Sequence, residues 1–252
     1  MTKKSYAKVN IFLKIAGKRD SYHELVSRFV RVRKLYDQIT FEKQSSDKFI
    51  LEGNFGCKTE KNTVYKAYVL LKEISPKVEE FFNNHKVVVD KKIPEFAGLG
   101  GGSSNAATFM IMVNDLCELN LSKDELCEIA VKIGADVPFF VYEYDSANVS
   151  GIGEIVEKFE EEILDIDVLT PKIECNTGQI FTRFRDSFYK EINNKEKHDL
   201  LTLKSKEILD KLDIYEANDL FAPASSVYDE LNDFNKTSWF FSGSGSSFFK
   251  VN

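Results

Sequence analysis

The 252-residue chain has few cysteines and histidines and no excess of positive charge. Its four cysteines, Cys57, Cys117, Cys127 and Cys175, include no C-x-x-C pair, and its three histidines are scattered along the chain. This distribution argues against a structural zinc site and favours reduced, buried thiols. The net charge of −6 gives no general attraction to nucleic acid, so we expect no nucleic-acid partner.

Long apolar runs are also missing. No segment approaches the ~20 apolar residues that a membrane-spanning helix needs, and the first residues lack the apolar core of a signal peptide. We therefore expect no membrane association and a location in the reducing cytoplasm. The chain is long enough for one large domain or two small ones with substantial cores.

The most informative segment that is present is residues 94–107, PEFAGLGGGSSNAA. It lies between a strand-like run at residues 87–89 and a helix-like run at residues 106–116. A glycine-rich turn that opens a helix presents backbone N–H groups and the positive end of the helix dipole, which favours phosphate. We expect its glycines to take positive φ, and Ser103 or Ser104 to cap the helix while the other hydroxyl faces a phosphate or metal.

Two common phosphate-binding motifs do not match this segment. The P-loop needs a Lys before its hydroxyl residue, and no Lys lies between Lys92 and Lys123. The dinucleotide pattern G-x-G-x-x-G fails because Ser103 and Asn105 occupy the positions of its last glycine. A flexible linker is the remaining alternative, and the helical spacing of the apolar residues that follow disfavours it.

The first strand is marked by apolar residues at positions 7, 9, 11, 13 and 15. Lys8 and Asn10 share the opposite face, about 6.6 Å apart. They either lie on a solvated surface or line a site, and the strand by itself favours the surface.

Other local signals place the helices and turns. Asn62 can start a helix with an apolar stripe at residues 64, 67, 68, 71 and 74, and Ser122 starts a capping box that leads to a helix ending near Gly134. Asp136 is then expected on a turn before an apolar strand at residues 137–141. A turn at residues 151–154 is followed by an acidic stretch, and a second glycine-rich turn covers residues 242–246. We place a domain boundary near residue 152.

Phosphoryl transfer needs a phosphate cradle, neutralisation of charge, and a group that orients or deprotonates the attacking hydroxyl. The glycine segment provides the first, Lys8 can provide part of the second, and Asp136 is the best candidate for the third. An isolated Asp is also a common turn or cap residue. The sequence leaves open whether Lys8 and Asp136 meet.

At this point the sequence resembles the GHMP kinases. The core GLGGGSSNA at residues 98–106 is similar to the central motif of that superfamily. Residues 7–13 (AKVNIFL), 20–25 (DSYHEL), 134–140 (GADVPFF) and 242–245 (SGSG) narrow the resemblance to the branch that phosphorylates 4-diphosphocytidyl-2-C-methyl-D-erythritol. Ser21 stands where that branch commonly has Gly.

The resemblance implies a role for each matching residue. Asp136 would accept the proton of the acceptor hydroxyl, and Lys8 would hold the carboxylate and the developing charge. The ATP site would contain Asn62 together with Pro94, Gly98, Leu99, Gly100, Gly101, Gly102, Ser103 and Ser104. Asn10 would line the acceptor site, Tyr22 and His23 would bind the cytidine, and Phe181 would close the other side of the base. ATP would be the co-substrate, and Mg²⁺ would arrive with it because the sequence shows no carboxylate cluster.

The resemblance also implies an α+β fold in two domains. Residues 1–152 would form a ribosomal-S5-like α/β domain that binds the nucleotide, and residues 153–252 a smaller ferredoxin-like α+β domain that contributes to the substrate cleft. We expect the second domain to be trimmed, since this branch usually continues beyond the position of Asn252. Two alternatives stay open: a GHMP kinase for another alcohol, such as homoserine or a mevalonate derivative, and a homologue that binds ligand without turnover. Tyr22 and His23 disfavour the first, and retention of Lys8 with Asp136 disfavours the second.

Overall fold

The computed structural model describes residues 1–19 and 22–252, and it has the predicted mixture of helices and strands. The strands are β1 (Thr2–Arg19), β2 (Tyr22–Lys43), β3 (Leu51–Gly53), β4 (His85–Asp90), β5 (Ser146–Gly151), β6 (Ile155–Lys158), β7 (Ile166–Leu169), β8 (Phe240–Phe241) and β9 (Phe248–Val251). The helices are α1 (Thr63–Ile74), α2 (Pro76–Phe82), α3 (Gly101–Leu116), α4 (Lys123–Ala130), α5 (Val137–Tyr142), α6 (Thr177–Ser187), α7 (Asn194–Thr202), α8 (Ser205–Lys211), α9 (Ile214–Ala217) and α10 (Phe221–Val227). Short 3-10 helices cover Thr59–Lys61 and Asp229–Phe234.

The chain packs into two compact units that alternate along the sequence. The first unit contains Met1–Ala7, Leu35–Ile93 and Gly100–Glu143. The second contains Lys8–Lys34, Pro94–Leu99 and Tyr144–Asn252. These units are defined by packing, so both long strands contribute residues to each of them. A division into domains at residue 152 stays a prediction.

In the first unit the end of β2 pairs antiparallel with β4, and β4 pairs parallel with β3. Helix α1 begins where the sequence predicted, because the Asn62 side chain accepts a hydrogen bond from the Val64 N–H and so caps the helix. Its predicted apolar stripe is buried except at Ile74, which is exposed. An aromatic cluster fills the core of the unit, with Phe41, Phe49, Tyr68, Phe82 and Phe109 in edge or stacked contact.

Two expectations about the α4–α5 region need correction. The capping box at Ser122 and Glu125 is confirmed, but α4 ends at Ala130, four residues before Gly134. Residues 137–142 form the helix α5, so the prediction of a strand at residues 137–141 is wrong. The apolar run is buried from Val137 to Val141, and a short buried helix gives the same signal as a buried strand. Pro138 is tolerated in the first turn, where its missing N–H would have no intrahelical partner.

In the second unit the first part of β2 pairs antiparallel with β5, which pairs antiparallel with β6. A second sheet has the order β7-β9-β8. The predicted turns at residues 151–154 and 242–246 are confirmed: they connect β5 to β6 and β8 to β9. The core of the unit combines residues of β1 with α6, α9, α10 and the second sheet, including Leu13, Ile15, Phe184, Phe221, Phe241 and Phe248.

The cysteines are all free, and three of them are buried. Burial raises the pKa of the Cys127 and Cys175 thiols to about 11, so both are protonated at neutral pH. Cys57 is exposed, which corrects the expectation that the thiols are buried. Within the described residues no helix is both long and apolar enough to cross a bilayer.

Candidate active site

The glycine loop, residues 98–104, carries the chain from the second unit into helix α3. Gly98 and Gly100 have φ of 72° and 69°, in the left-handed region that favours glycine. Gly101 and Gly102 are helical, so the expectation of positive φ is wrong for these two. Gly100 is the N-cap of α3, and the helix begins at Gly101, five residues earlier than its apolar pattern indicated. The N–H groups in the first turn of this 16-residue helix have no intrahelical partner, and the Gly100 N-cap has no side chain to bind them, which suits an anion.

The two serines of the loop lie inside the first turn of α3, so neither is the N-cap. Ser104 is 1% exposed, and its Oγ lies 2.8 Å from Oγ of the buried Ser5. Ser5 Oγ also donates to Asn105 Oδ1 at 2.7 Å. Because the Ser104 hydroxyl is engaged in the core, the half-buried Ser103 is the serine suited to a phosphate or a metal ion.

The start of α1 packs against the same turn of α3. Thr63 Oγ1 donates to the Gly102 carbonyl at 2.7 Å. A Cβ added to Gly102 would lie 3.4 Å from Thr63 Oγ1. Asn62, one residue earlier, is 6% exposed and uses its Oδ1 to cap α1. This places Asn62 in the same unit as the first turn of α3, while its predicted contact with ATP stays a prediction.

A buried carboxylate fixes the segment that precedes the loop. Asp37 is fully buried, and its Oδ1 accepts the N–H groups of Lys92 and Ile93 at 2.6 and 2.8 Å. Its Oδ2 pairs with Lys91 Nζ at 2.5 Å. Gly101 packs on this segment so closely that an added Cβ would lie 2.9 Å from Ile93 Cγ2. The first helical glycine is thus required by packing within the protein.

Gly98 packs against the C-terminal glycine turn, which we define as residues 242–246. Ser242 Oγ donates to the Gly98 carbonyl at 3.0 Å, and a Cβ at Gly98 would lie 2.0 Å from the Ser242 carbonyl oxygen. The neighbouring Ser247 N–H donates to the Ala97 carbonyl at 3.1 Å. The two glycine-rich segments that the sequence showed separately are therefore in direct contact.

Lys8 and Asn10 line this contact, and the surface interpretation of both residues is wrong. They are 3% and 2% exposed, because β1 is buried on both faces in this region. Lys8 Nζ donates to Asn10 Oδ1 at 2.6 Å and to the Gly98 carbonyl at 3.0 Å, and it lies 4.6 Å from the Phe29 ring centroid. Asn10 Nδ2 donates to Ser27 Oγ at 2.9 Å. The Lys8 backbone N–H donates to the Leu99 carbonyl, so both the backbone and the side chain of Lys8 join β1 to the glycine loop.

Asp136 occupies the N-cap position of α5, directly before the buried Val137. It follows Gly134 by two residues and is half-buried. Its backbone has φ of −79° and ψ of −12°, so it already lies in the helical region. Lys8 and Asp136 belong to different units, and their pairing stays a prediction.

His23 lies in an aromatic cluster with residues of α6 and the segment that follows it. Its ring stacks on Phe181, with centroids 5.4 Å apart, and meets Phe184 edge-on at 5.7 Å. Burial lowers the pKa of His23, and the positive charges of Arg185 and Lys18 lower it further. The imidazole is therefore neutral at pH 7, and its Nε2 has no hydrogen-bond partner within the described residues. Asp20 and Ser21 and the Tyr22 side chain lie outside the described residues, so the prediction for Tyr22 cannot be placed.

The contact between His23 and Phe181 bears on how a base could bind. A ring inserted between two others needs the outer rings about 7 Å apart, two van der Waals separations. At 5.4 Å the His23 and Phe181 rings touch each other. The space between these two rings therefore does not admit a third ring as they lie, and the binding of a base here stays a prediction.

The comparisons with known proteins agree with these motifs. Residues 62–144 match the family model described as the GHMP kinases N terminal domain. A Sulfurimonas denitrificans protein named 4-diphosphocytidyl-2-C-methyl-D-erythritol kinase is 52% identical, and the match covers 98% of this chain and 96% of the relative. A Sulfurovum protein of the same name is 47% identical over 98% of this chain and 97% of its own length. The chain belongs to the 4-diphosphocytidyl-2-C-methyl-D-erythritol kinase family.

Solved structures show the same fold. A crystal structure of a kinase of this family superposes with a TM-score of 0.76 at 28% identity and covers the whole of this chain and 90% of its own. A mevalonate kinase from Methanococcus jannaschii has a TM-score of 0.58 at 14% identity, covering 100% of this chain and 90% of its own, and so shares the fold alone. The predicted α+β GHMP kinase fold is therefore confirmed.

Two residues that support the glycine loop of this chain were not predicted from the sequence, Thr63 and Ser5. Thr63 stands beside the recognised N-cap and binds the Gly102 carbonyl. Ser5 is fully buried, and a signal for it was present: it precedes Ala7, Val9 and Ile11 in the same alternation, so a serine falls on an apolar face. Among the described residues, no three acidic, histidine or cysteine side chains are grouped so that they could hold a metal ion.

Proposed function

We propose that this chain transfers the γ-phosphoryl group of ATP to the 2-hydroxyl of 4-diphosphocytidyl-2-C-methyl-D-erythritol, a step of isoprenoid precursor synthesis. The observation that carries the proposal is 52% identity over nearly the full length of a kinase with that name. The joined glycine segments and the buried Lys8 support it, because they supply an anion cradle and a cation beside it.

In the proposed mechanism Asp136 accepts the proton of the 2-hydroxyl while the hydroxyl oxygen bonds to the γ-phosphorus of ATP. The bond from that phosphorus to the bridging oxygen breaks, and ADP leaves with the electron pair. Lys8 is already held by Asn10 and the Gly98 carbonyl, so its charge is positioned before substrate binds. Asn10 in turn is oriented by Ser27. The role of the Lys8–Asp136 pair comes from the family motif.

We assign the ATP phosphates to the glycine loop and the first turn of α3, with Pro94, Leu99 and Asn62 completing the site. Mg²⁺ neutralises phosphate charge when it is bound, and it usually keeps several waters and takes few protein ligands. The Ser103 hydroxyl at the half-buried start of α3 fits such a site, because one hard oxygen together with the phosphates and water satisfies the ion. We therefore propose that Mg²⁺ arrives with the nucleotide.

We assign the cytidine to Tyr22, His23 and Phe181. The neutral His23 ring leaves Nε2 able to donate or accept one hydrogen bond, and cytosine offers an amino donor and ring acceptors at its edge. Stacking on an aromatic ring contributes ~1–3 kcal/mol per base. A site built for cytosine leaves polar groups unpaired when the base is wrong, which costs ~1–3 kcal/mol per lost partner.

An ADP-release assay with a panel of acceptors tests the proposal. Turnover with the cytidine substrate should exceed that with its uridine analogue and with free methylerythritol phosphate. His23→Ala should raise KM for the cytidine substrate much more than KM for ATP. Preference for homoserine or mevalonate would make the chain another GHMP kinase, and nucleotide binding without ADP release would make it a non-catalytic homologue.

We also propose that the enzyme works in the cytoplasm on small molecules alone. Four free cysteines suit a reducing compartment. The net charge of −6 does not favour nucleic acid or an anionic membrane surface. Its partners in this proposal are ATP and the cytidine-linked polyol.

A further inference from the structure

Asn218 makes an unusually complete set of hydrogen bonds in the connection between α9 and α10. It is 1% exposed. Its Nδ2 donates to the carbonyls of Phe241 and Gly243, both at 2.9 Å, and its Oδ1 accepts the Leu220 N–H at 2.9 Å. Both amide protons are therefore used on the chain that enters and forms the C-terminal glycine turn.

Side chains of the turn itself make two further hydrogen bonds: Ser244 Oγ lies 2.8 Å from Thr177 Oγ1, and Ser246 Oγ donates to the Pro171 carbonyl at 3.4 Å. Asn218 differs from these in binding the backbone of the turn. Gly243 and Gly245 have φ of 59° and 86°, which places the backbone in the left-handed region. A Cβ at Gly245 would lie 2.1 Å from Phe241 Cζ, and one at Gly243 would lie 3.4 Å from Asn10 Oδ1. Glycines lose much conformational freedom on ordering, so a buried amide that binds the carbonyls of Gly243 and of the preceding Phe241 restricts this turn strongly.

The turn is also the support of the glycine loop. Ser242 Oγ donates to the Gly98 carbonyl, and that same carbonyl accepts Lys8 Nζ, both at 3.0 Å. The position of the Ser242 backbone fixes how far Gly98 can move, since the two residues are in close backbone contact. A shift of the turn would therefore be transmitted to Gly98 and to the ammonium of Lys8.

Asn218 is itself anchored to β1, the strand that carries Lys8. Its neighbour Asp219 accepts the Ile15 N–H with Oδ2 at 2.8 Å and pairs with Lys14 Nζ through Oδ1 at 2.6 Å. Lys14 also donates to the Glu216 carbonyl at 3.1 Å. The Lys14 and Asp219 side chains are only 6% and 10% exposed, so this anchor is shielded from solvent.

We propose that Asn218 is a positioning residue for phosphoryl transfer: it locks the C-terminal glycine turn against Gly98 and thereby sets the place of Gly98 and of Lys8. It touches neither substrate nor nucleotide in this proposal. The inference deepens the proposed kinase function and depends on it for the acceptor. The effect that it predicts for ATP affinity can be measured whichever acceptor the enzyme uses.

The test compares Asn218→Asp with Asn148→Asp. Asn218→Asp keeps the acceptor for Leu220 and replaces the donor to two carbonyls by an oxygen. Asn148 lies in the same unit and is half-buried; its Nδ2 donates to the Leu201 carbonyl at 3.0 Å, and its Oδ1 accepts Arg28 Nε at 2.6 Å. The same substitution there keeps the acceptor and removes one amide donor away from both glycine segments. Activity with ATP and the cytidine substrate, ATP affinity by calorimetry and urea unfolding are measured for each variant.

We expect Asn218→Asp to lower kcat at least tenfold and to weaken ATP binding severalfold, with KM for the acceptor within about twofold of wild type. Asn148→Asp should leave kcat and ATP affinity within about twofold of wild type even where it lowers the urea midpoint. Equal effects of the two variants on kcat and ATP affinity would overturn the proposal, because Asn218 would then act on stability alone.

Ser242→Ala supplies a second arm that does not require Asn218→Asp to fold. It removes only the hydroxyl that reaches the Gly98 carbonyl, and we expect a threefold or larger fall in kcat with a urea midpoint close to wild type. The double variant should lose little beyond Asn218→Asp, since both act through one contact. Wild-type kcat in Ser242→Ala, or multiplied losses in the double variant, would contradict the proposal. If wild type fails to use the cytidine substrate, the proposed function fails while the ATP-affinity comparison still decides the role of Asn218.

Discussion

At the scale of single residues, Lys8 and Asp136 are the pair on which the proposed chemistry depends. Lys8 is almost completely buried, and burial of an ammonium is tolerated only where polar partners receive it. Asn10 and the Gly98 carbonyl are two such partners. Because burial of the ammonium costs free energy, the position of Lys8 is better explained by a function at the glycine loop than by a contribution to stability.

Asp136→Asn should lower kcat by about 10²–10⁴ with little change in ATP affinity, because it keeps the shape of the side chain and removes the base. Lys8→Ala should cause a comparable loss of kcat. The double variant should be far from additive, since the two residues act on one proton. Steady-state kinetics and calorimetry with ATP measure these effects, and near-normal turnover in Asp136→Asn would remove Asp136 from the mechanism.

His23 predicts a pH dependence of stability. Its pKa is lowered in the folded protein by burial and by Arg185 and Lys18, whereas an unfolded imidazole titrates near 6.5. The unfolded state therefore binds a proton first as the pH falls through about 6.5, and folding loses stability below that pH. Urea unfolding at pH 7.5 and 5.5 should show a larger loss for wild type than for His23→Gln. Identical losses in the two proteins would contradict the lowered pKa.

At the scale of elements, the glycines at and just before the start of α3 are needed for two different reasons, packing within the protein and the approach of a ligand. Gly98 and Gly101 are required by packing, because an added Cβ would meet the Ser242 carbonyl or Ile93 at less than 3.0 Å. Substituting Gly101 by Val would therefore disturb packing as well as any ligand. Gly102 is exposed, and a Cβ there would make only ordinary contacts with Thr63. Gly102 is the position at which the approach of phosphate can be tested by itself.

Gly102→Ala should weaken ATP binding by about tenfold, or 1.4 kcal/mol, if phosphate approaches this backbone closely. The variant should not lose stability, since alanine is a better helix former than glycine. Gly178→Ala is the matched control, because Gly178 is likewise the second residue of a helix, α6. Calorimetry should find its ATP affinity within about twofold of wild type. Wild-type ATP affinity in Gly102→Ala would place the phosphates elsewhere.

At the scale of the whole molecule, ligand binding should appear as added stability. A nucleotide that binds the folded protein alone raises the free energy of unfolding by about 2.7 kcal/mol at a hundredfold excess over Kd. Mg²⁺ with ATP should therefore raise Tm clearly, whereas Mg²⁺ without nucleotide should leave it nearly unchanged. Thermal unfolding in both conditions measures this. An equal rise in Tm with Mg²⁺ by itself would show a metal site held by the free protein.

The sequence by itself predicted the local features that depend on neighbouring residues. The N-cap at Asn62, the capping box at Ser122 and the turn at residues 242–246 all form where short-range patterns placed them, because caps and glycine turns are decided by backbone geometry within a few residues. The GHMP motifs predicted the α+β fold and the family, since their order along the chain is specific.

Only the tertiary structure decided what those features touch. The alternation along β1 could not show that both of its faces are buried, and an apolar run could not separate the helix α5 from a strand. Nor could sequence distance show that Ser242 meets Gly98, 144 residues away, or that Asn218 binds the Gly243 carbonyl, 25 residues away. Local patterns record the preferences of a few consecutive residues, whereas burial and long-range hydrogen bonds depend on the packing of the whole chain.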